Sequence, residues 1–162
     1  MGGKKLRVGW FSFTCCEDST MVFIELMNDH LDEWRKLIEF RHARVLKKNN
    51  TLSDIDVAFV EGAITNDKDA NYLKEIRENS KKLIAIGACA VTGMPAAQRN
   101  NFDQETKNEI QFLIKRFDQA DRVRKVSEVV KVDGEIPGCP MEEPIFLSAL
   151  QGCLKEFGVV NA

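Results

Sequence analysis

The sequence lacks the features that mark membrane-spanning, secreted and nucleic-acid-binding chains. No apolar run approaches the roughly 18 consecutive residues needed to cross a bilayer, and the first residues do not follow the pattern of a signal peptide. The 162 residues include 23 Lys and Arg against 25 Asp and Glu, so no basic excess suggests nucleic acid or an anionic membrane. We therefore expect a single cytoplasmic domain over residues 1–162, with no direct membrane span.

Histidine and paired cysteines are also scarce. There are two histidines, and no two cysteines are separated by two residues, the spacing of common zinc knuckles. The five cysteines are Cys15, Cys16, Cys89, Cys139 and Cys153. An odd number of cysteines in a reducing compartment argues against a disulfide framework. The thiols are therefore buried side chains, a catalytic nucleophile or metal ligands.

Segments of strand and helix character alternate along the chain. Strands are predicted at Leu6–Phe13, Leu37–Val45, Asp56–Val60, Lys82–Ile86 and Val129–Val132. Helices are predicted after a cap at Asp18 or Ser19, at Asp67–Asn79, at Asn101–Phe117 with Asn101 and Gln104 as a capping box, and from Pro144 to just before Gly158. This alternation, with nearly continuous apolar strands, predicts a flavodoxin-like three-layer α/β/α fold with a mainly parallel sheet.

Four of the five cysteines lie in segments that follow predicted strands. Cys15 and Cys16 come after the first strand, Cys89 follows the strand that ends at Ile86, and Cys139 follows the last strand. The carboxyl ends of parallel strands meet at one edge of a sheet, so these thiols should converge. Glycines beside them allow close backbone approach to a bulky group.

Four thiolates without a nearby histidine suit either zinc or an iron–sulfur cluster. Adjacent cysteines followed by two widely spaced ones favour a cluster over a single ion. The fifth, Cys153, lies seven residues after Phe146 on the apolar face of the last helix, and we expect it to be a buried core residue.

Four segments around these cysteines form a specific pattern, in the order Thr14–Glu17, Val60–Ile64, Ile86–Ala96 and Ile136–Pro140. Together they resemble a known family, the small subunit of [NiFe] hydrogenases and the cluster-carrying 20-kDa subunit of complex I, in which the segments have the same order. The resemblance implies a flavodoxin-like fold in which Cys15, Cys16, Cys89 and Cys139 hold one [4Fe–4S] cluster. The tandem pair Cys15–Cys16 is similar to complex I. The hydrogenase pattern would instead place its first ligand at Phe13.

The resemblance also implies a function and partners. The chain would be an electron-transfer subunit of a cytoplasmic [NiFe]-hydrogenase-type oxidoreductase, in a short form without the C-terminal multi-cluster domain. Its cluster would relay electrons between a [NiFe]-type large subunit and a further iron–sulfur or flavin subunit, with no catalysis by the isolated chain. The loops of Gly87, Gly93 and Gly138 are candidate N–H donors to the cluster.

Other interpretations remain open. The partner could lack nickel, as in a complex I-like reductase. The chain could instead be a flavodoxin-like carrier that binds FMN, with Thr14, Ser19 and Thr20 at the phosphate, or a redox enzyme using Cys15 and Cys16.

Glu17 and Glu61, beside the cysteine loops, are candidate proton relays, with a capping or solvated acid and a loop-bracing strut as their structural alternatives. His30 and His42 are expected at the surface or at helix ends.

Overall fold

Five parallel strands in the order β2-β1-β3-β4-β5 form the sheet of the computed structural model, which describes residues 3–161. The ends of the predicted 1–162 domain lie outside the described residues. The strands are β1 (Leu6–Ser12), β2 (Ile38–Ala43), β3 (Ile55–Glu61), β4 (Ser80–Ile86) and β5 (Gly134–Ile136). The helices are α1 (Asp18–Asp29), α2 (Leu31–Leu37), α3 (Asp67–Glu78), α4 (Gly87–Thr92), α5 (Gln104–Arg116) and α6 (Glu143–Glu156).

Helices cover both faces of the sheet, so the predicted three-layer α/β/α architecture is confirmed. On one face an aromatic cluster joins β1 to α1 and α6, and the Trp10 and Phe23 rings stack with centroids 4.1 Å apart. On the other face α3 buries Ala70, Leu73 and Ile76 against the sheet. The central strand β3 is buried along its whole length, as expected of a parallel strand covered on both sides.

The last strand differs from its prediction. Val129–Val132 was expected to be a strand, but β5 is Gly134–Ile136, and a 3₁₀ turn at Val126–Glu128 precedes it. The core on the face covered by α3 takes up the side chains of Val129, Val130 and Val132, but the backbone of these residues does not pair in the sheet. The β-branched composition therefore reflects burial here, not strand formation.

Helix α5 begins later than predicted and buries less of itself. Its N-cap is Asp103, whose side chain accepts a hydrogen bond from the Thr106 N–H at 2.8 Å, so the proposed Asn101–Gln104 capping box is wrong. Of its apolar positions only Ile114 is buried, whereas Phe112 is 64% exposed.

The cap of α1 also differs. The helix begins at Asp18, after Glu17 in a left-handed conformation with φ of 63°, and the side chain of this N-cap residue makes no capping hydrogen bond. The prediction of a cap at Asp18 or Ser19 is therefore wrong, and Ser19 is used elsewhere. Among the described residues, no helix has the length and apolar character needed to span a membrane.

Candidate metal centre

The loops after β1, β4 and β5 meet at the carboxyl edge of the sheet, and each carries cysteine. Cys15 and Cys16 follow β1, Cys89 lies in α4 directly after β4, and Cys139 follows β5. All four line one recess of about 20 Å³. The other lining residues are Asp18, Ser19, Glu61, Ile86, Gly87, Ala88, Gly138 and Pro140. The fold thus brings together four thiols that are distant in sequence.

The four cysteines differ in exposure. Cys16 and Cys139 are exposed, Cys15 is half-buried and Cys89 is buried. Burial, with a contribution from the Glu61 carboxylate, raises the pKa of Cys15 to about 12, and burial also raises the pKa of Cys89. The Cys15 thiol donates to the Phe13 carbonyl oxygen, with its Sγ at 3.6 Å. Because thiolates are the form that binds metal, a metal bound by these cysteines would displace their protons, and rising pH would favour its binding.

Of the three glycines whose loops were candidate N–H donors, Gly87 and Gly138 line the recess. Gly138 has φ of 109°, and a Cβ at this position would collide with the Pro140 carbonyl oxygen; at Gly87 a Cβ would lie 2.9 Å from Ser19 Oγ. The Gly138 carbonyl accepts a hydrogen bond from the Ala88 N–H at 2.7 Å, which joins the Cys89 and Cys139 loops. Gly93 lies elsewhere, at the end of α4, where its N–H donates to the Cys89 carbonyl at 3.0 Å.

Glu61 connects the end of β3 to the start of α1. Its side chain is buried; Oε1 accepts from the Ser19 N–H at 3.1 Å, and Oε2 accepts from the Thr20 hydroxyl at 2.6 Å. These bonds match the structural alternative to a proton relay, a strut that braces the loop. Glu17 is exposed and lines a separate cavity of about 220 Å³ that also contacts Met21 and Tyr72.

Ser19 is a site residue that the sequence pattern did not reveal as such. It is buried in the first turn of α1, and its hydroxyl oxygen accepts from the Met141 N–H at 3.1 Å. Its sequence neighbourhood suggested only a helix cap or a phosphate contact. The contact with a residue two positions after Cys139 depends on the tertiary fold, so no local signal could have revealed it.

The chemistry of the recess is rich in sulfur and poor in positive charge. Its lining residues include four cysteines and two acids but, among the described residues, no lysine, arginine or histidine. Within residues 3–161, no three His, Cys, Asp or Glu side chains are arranged to hold a metal ion. Four cysteines with no histidine among the lining residues are the donor set of iron–sulfur clusters and of some zinc sites, so the residues present fit a sulfur-ligated iron group.

The remaining cysteine and both tryptophans belong to the core. Cys153 is 2% exposed in the cluster that contains Trp10 and Trp34. His30 joins α1 to α2, as expected of a helix-end residue. His42 is buried in β2, so its expected surface position is wrong; its ring stacks on Phe11 with centroids 4.3 Å apart.

The hydroxyls assigned to a flavin phosphate are engaged within the chain. Ser19 and Thr20 are buried, and the Thr20 hydroxyl oxygen also accepts from Trp10 Nε1 at 2.9 Å. The Thr14 and Thr65 hydroxyls are hydrogen-bonded to each other at 2.8 Å. The geometry therefore offers no group of three free hydroxyls at this loop.

Comparison with known proteins places the chain among oxidoreductase subunits. A family model described as the 20-kDa subunit of NADH ubiquinone oxidoreductase matches residues 15–153. A subunit of the F420-non-reducing hydrogenase of Methanothermobacter thermautotrophicus is 31% identical, over 93% of this chain and 54% of that protein. The delta subunit of the NAD-reducing hydrogenase HoxS of Cupriavidus necator is 28% identical, over 84% of this chain and 72% of that protein.

A solved structure agrees with these relatives. A chain in the crystal structure of an NAD⁺-reducing [NiFe]-hydrogenase in the H2-reduced state superposes with a TM-score of 0.77 and 26% identity. The alignment covers 93% of this chain and 92% of that chain. For the F420-non-reducing hydrogenases, by contrast, this chain spans about half the length of the curated relatives it matches. Each of these relatives is one subunit of a larger hydrogenase.

Proposed function

Because this chain belongs to the family of the 20-kDa subunit of NADH ubiquinone oxidoreductase and the [NiFe]-hydrogenase small subunit, we propose that it is the electron-transfer subunit of a [NiFe]-hydrogenase-type oxidoreductase. In this role it holds one [4Fe–4S] cluster and relays electrons between a large-subunit active site and a further redox subunit. The observation that carries the proposal is the convergence of Cys15, Cys16, Cys89 and Cys139 on one recess.

The four cysteines would be the iron ligands, and the cluster, when bound, supplies one-electron transfer. The residues around it have supporting tasks. The conformations of Gly87 and Gly138 let backbone approach closely, and their loops can offer N–H donors to sulfur. Gly93 would act indirectly, by ending the helix that carries Cys89. The positive end of the α6 dipole begins four residues after Cys139 and would favour the negatively charged group.

The partner subunits are proposed from the shape of the edge. The recess is shallow, and Cys16 and Cys139 are exposed, so the cluster would be bound at the surface of this chain, where a partner can cover it. Met94, exposed by 39%, adds apolar surface in the loop after α4, whereas Met141 belongs to the core. We propose a [NiFe]-type large subunit on this edge and an iron–sulfur or flavin subunit as the second electron partner.

Glu17 is the better of the two candidates for a proton relay. Its carboxylate is exposed beside Cys16, where a partner subunit could reach it, whereas both Glu61 oxygens accept hydrogen bonds within the chain.

We also place the protein in the cytoplasm, because its five cysteines are all unpaired in the described part of the chain, as suits a reducing compartment.

A second candidate is a complex I-like reductase subunit whose partner lacks nickel. The tandem pair Cys15–Cys16 and the description of the matching family model favour it. The large subunit that co-purifies with the chain discriminates the two. A partner with two Cys-x-x-Cys motifs supports the hydrogenase, whereas a partner without these motifs supports the reductase.

The cluster is tested by anaerobic purification of the full chain. We expect a brown protein with about four irons per chain. Cys89→Ser and Cys139→Ser should each lose this iron, while Cys153→Ala, which removes a thiol of the core, should keep it. Retention of a normal iron content and absorption spectrum by both ligand variants would falsify the assignment.

A further inference from the structure

Ser19 touches every loop that contributes to the cysteine recess. It follows Cys15 and Cys16 in the first turn of α1, and its N–H donates to Glu61 at the end of β3. Its hydroxyl oxygen accepts from the Met141 N–H in the loop of Cys139 and lies 2.9 Å from the position that a Cβ on Gly87 would occupy. Both the backbone and the side chain of Ser19 are thus hydrogen-bonded, and the residue is only 3% exposed.

The proton of the Ser19 hydroxyl is not used by a hydrogen bond within the described residues. A serine hydroxyl can donate one hydrogen bond and accept two. Ser19 uses an acceptor position for Met141, but within residues 3–161 no protein acceptor takes its proton. Since Ser19 also lines the recess with the four cysteines, a sulfur atom bound in that space would give this proton an acceptor.

The neighbouring hydroxyl shows a different arrangement. Thr20 is also buried, but it donates to Glu61 Oε2 at 2.6 Å and accepts from Trp10 Nε1 at 2.9 Å. It is not among the residues that line the recess. Of these two adjacent buried hydroxyls, only that of Ser19 combines an uncommitted proton with a position beside the thiols.

We propose that the Ser19 hydroxyl donates a hydrogen bond to a sulfur atom of the group held by the four cysteines, and that this bond raises the group's reduction potential. The inference rests on the proposed function, because it needs a bound iron–sulfur group. Hydrogen bonds to the sulfurs are one of the factors that set the potential of such groups. A donor stabilises the reduced state, which carries the additional negative charge, so the potential rises.

The test is a redox titration of the anaerobically purified full chain, followed by electron paramagnetic resonance. Ser19→Ala removes the hydroxyl, and we expect its midpoint potential to shift to a more negative value. Ser19→Thr keeps a hydroxyl and should restore the potential toward that of the wild type. Ser148→Ala is the matched control, because Ser148 is exposed on α6 and should leave the potential unchanged.

Iron content is the second measurement, because a variant that binds little iron gives no potential to compare. Thr and Val have the same shape, so Ser19→Thr and Ser19→Val differ only in the hydroxyl at equal crowding of Gly87. Higher iron content in the Thr variant supports the role of the hydroxyl, and equal content in both argues against it. Pulsed resonance spectra in H2O and D2O should also show an exchangeable proton coupling that Ser19→Ala lacks.

The outcomes separate this inference from the proposed function. A wild-type chain without iron would overturn both. A wild-type chain with about four irons, whose iron content, potential and proton coupling are all unchanged in Ser19→Ala, would overturn the role of Ser19 alone and leave the cluster in place.

Discussion

The two edges of the sheet hold their buried carboxylates in different ways. At the amino edge, Asp56 is 2% exposed and accepts hydrogen bonds from Arg7 Nη2 at 2.9 Å and Lys81 Nζ at 2.8 Å. At the carboxyl edge, Glu61 is equally buried, but its donors are the neutral groups of Ser19 and Thr20. The amino edge therefore balances its charge within the chain.

The two edges also differ in the charges that surround their buried groups. Burial opposes ionisation of Asp56, but the hydrogen bonds from Arg7 and Lys81 outweigh burial and hold the pKa of Asp56 well below its usual range. No such cation lines the cysteine recess among the described residues. Burial raises the pKa of Cys15 and of Cys89, so these thiols keep their protons in the metal-free chain. The proposed cluster would replace such protons with iron as the positive partner of the thiolates.

The largest effect on stability is expected at the amino edge. Asp56→Ala should lower the free energy of unfolding by about 3 kcal/mol, because it leaves two cations and the Arg7 N–H without their buried acceptor. Urea denaturation of the metal-free chain measures this loss. The iron content of the anaerobically purified variant should equal that of the wild type if the two edges are independent.

Asp54→Ala is the control for Asp56. Asp54 also pairs with Arg7, at 3.1 Å, but its side chain is 68% exposed. Solvent screening limits such a pair to less than about 1 kcal/mol. Equal losses in the two variants would contradict the view that buried charge compensation distinguishes the amino edge.

A smaller effect is expected from Gly138→Ala at the carboxyl edge. The positive φ of Gly138 and the closeness of the Pro140 carbonyl should make this variant less stable by about 1–2 kcal/mol. The loop of Cys139 would shift, so iron content should fall as well. Urea denaturation of the metal-free variant and iron analysis of the purified one measure the two effects.

Gly152→Ala gives the matched comparison. Gly152 is exposed within α6, and nothing lies within 4 Å of a Cβ built there. Alanine in a helix interior should stabilise the chain by up to about 1 kcal/mol and leave iron content unchanged. If Gly138→Ala behaved in the same way, the close packing of the recess would have no functional meaning.

The sequence predicted the sheet and the convergence of the cysteines for one reason. Apolar strands are recognised by local composition, and parallel topology then brings their carboxyl ends together whatever the intervening loops do. Cys89 and Cys139 could be placed beside each other on this basis alone. Cys153 could be separated from them by helical periodicity, because it lies two turns after Phe146.

The parts that could not be predicted depend on contacts between distant residues. The Ser19–Met141 bond spans 122 positions, and its signal in the sequence is a serine at a helix start. Val129–Val132 has strand composition but packs by its side chains only. His42 was expected at the surface, since one histidine in an ambiguous strand gives no indication of the Phe11 and Tyr72 rings beside it.

The smallest predicted effect concerns His42, a buried titratable group whose ring has only neutral hydrogen-bond partners. Its Nδ1 lies 3.2 Å from the Trp10 carbonyl oxygen, and its Nε2 lies 3.3 Å from the Tyr72 hydroxyl. Burial lowers the pKa of His42, and the charges of Arg44 and Lys47 lower it further, against the Trp10 carbonyl, which raises it. The native chain therefore resists protonation of this ring more than the unfolded chain does.

The sign of the pH dependence follows from this difference. Above the unfolded histidine pKa of about 6.5, the contribution of His42 to stability is fully present. As pH falls below that value the unfolded chain takes up a proton that the native chain excludes, so stability is lost. The urea concentration at the unfolding midpoint of the metal-free wild type should therefore decrease as the pH is lowered from 8 to 5. The decrease should be smaller in His42→Gln. An identical pH dependence in His42→Gln and the wild type would contradict a lowered pKa of His42 in the native chain.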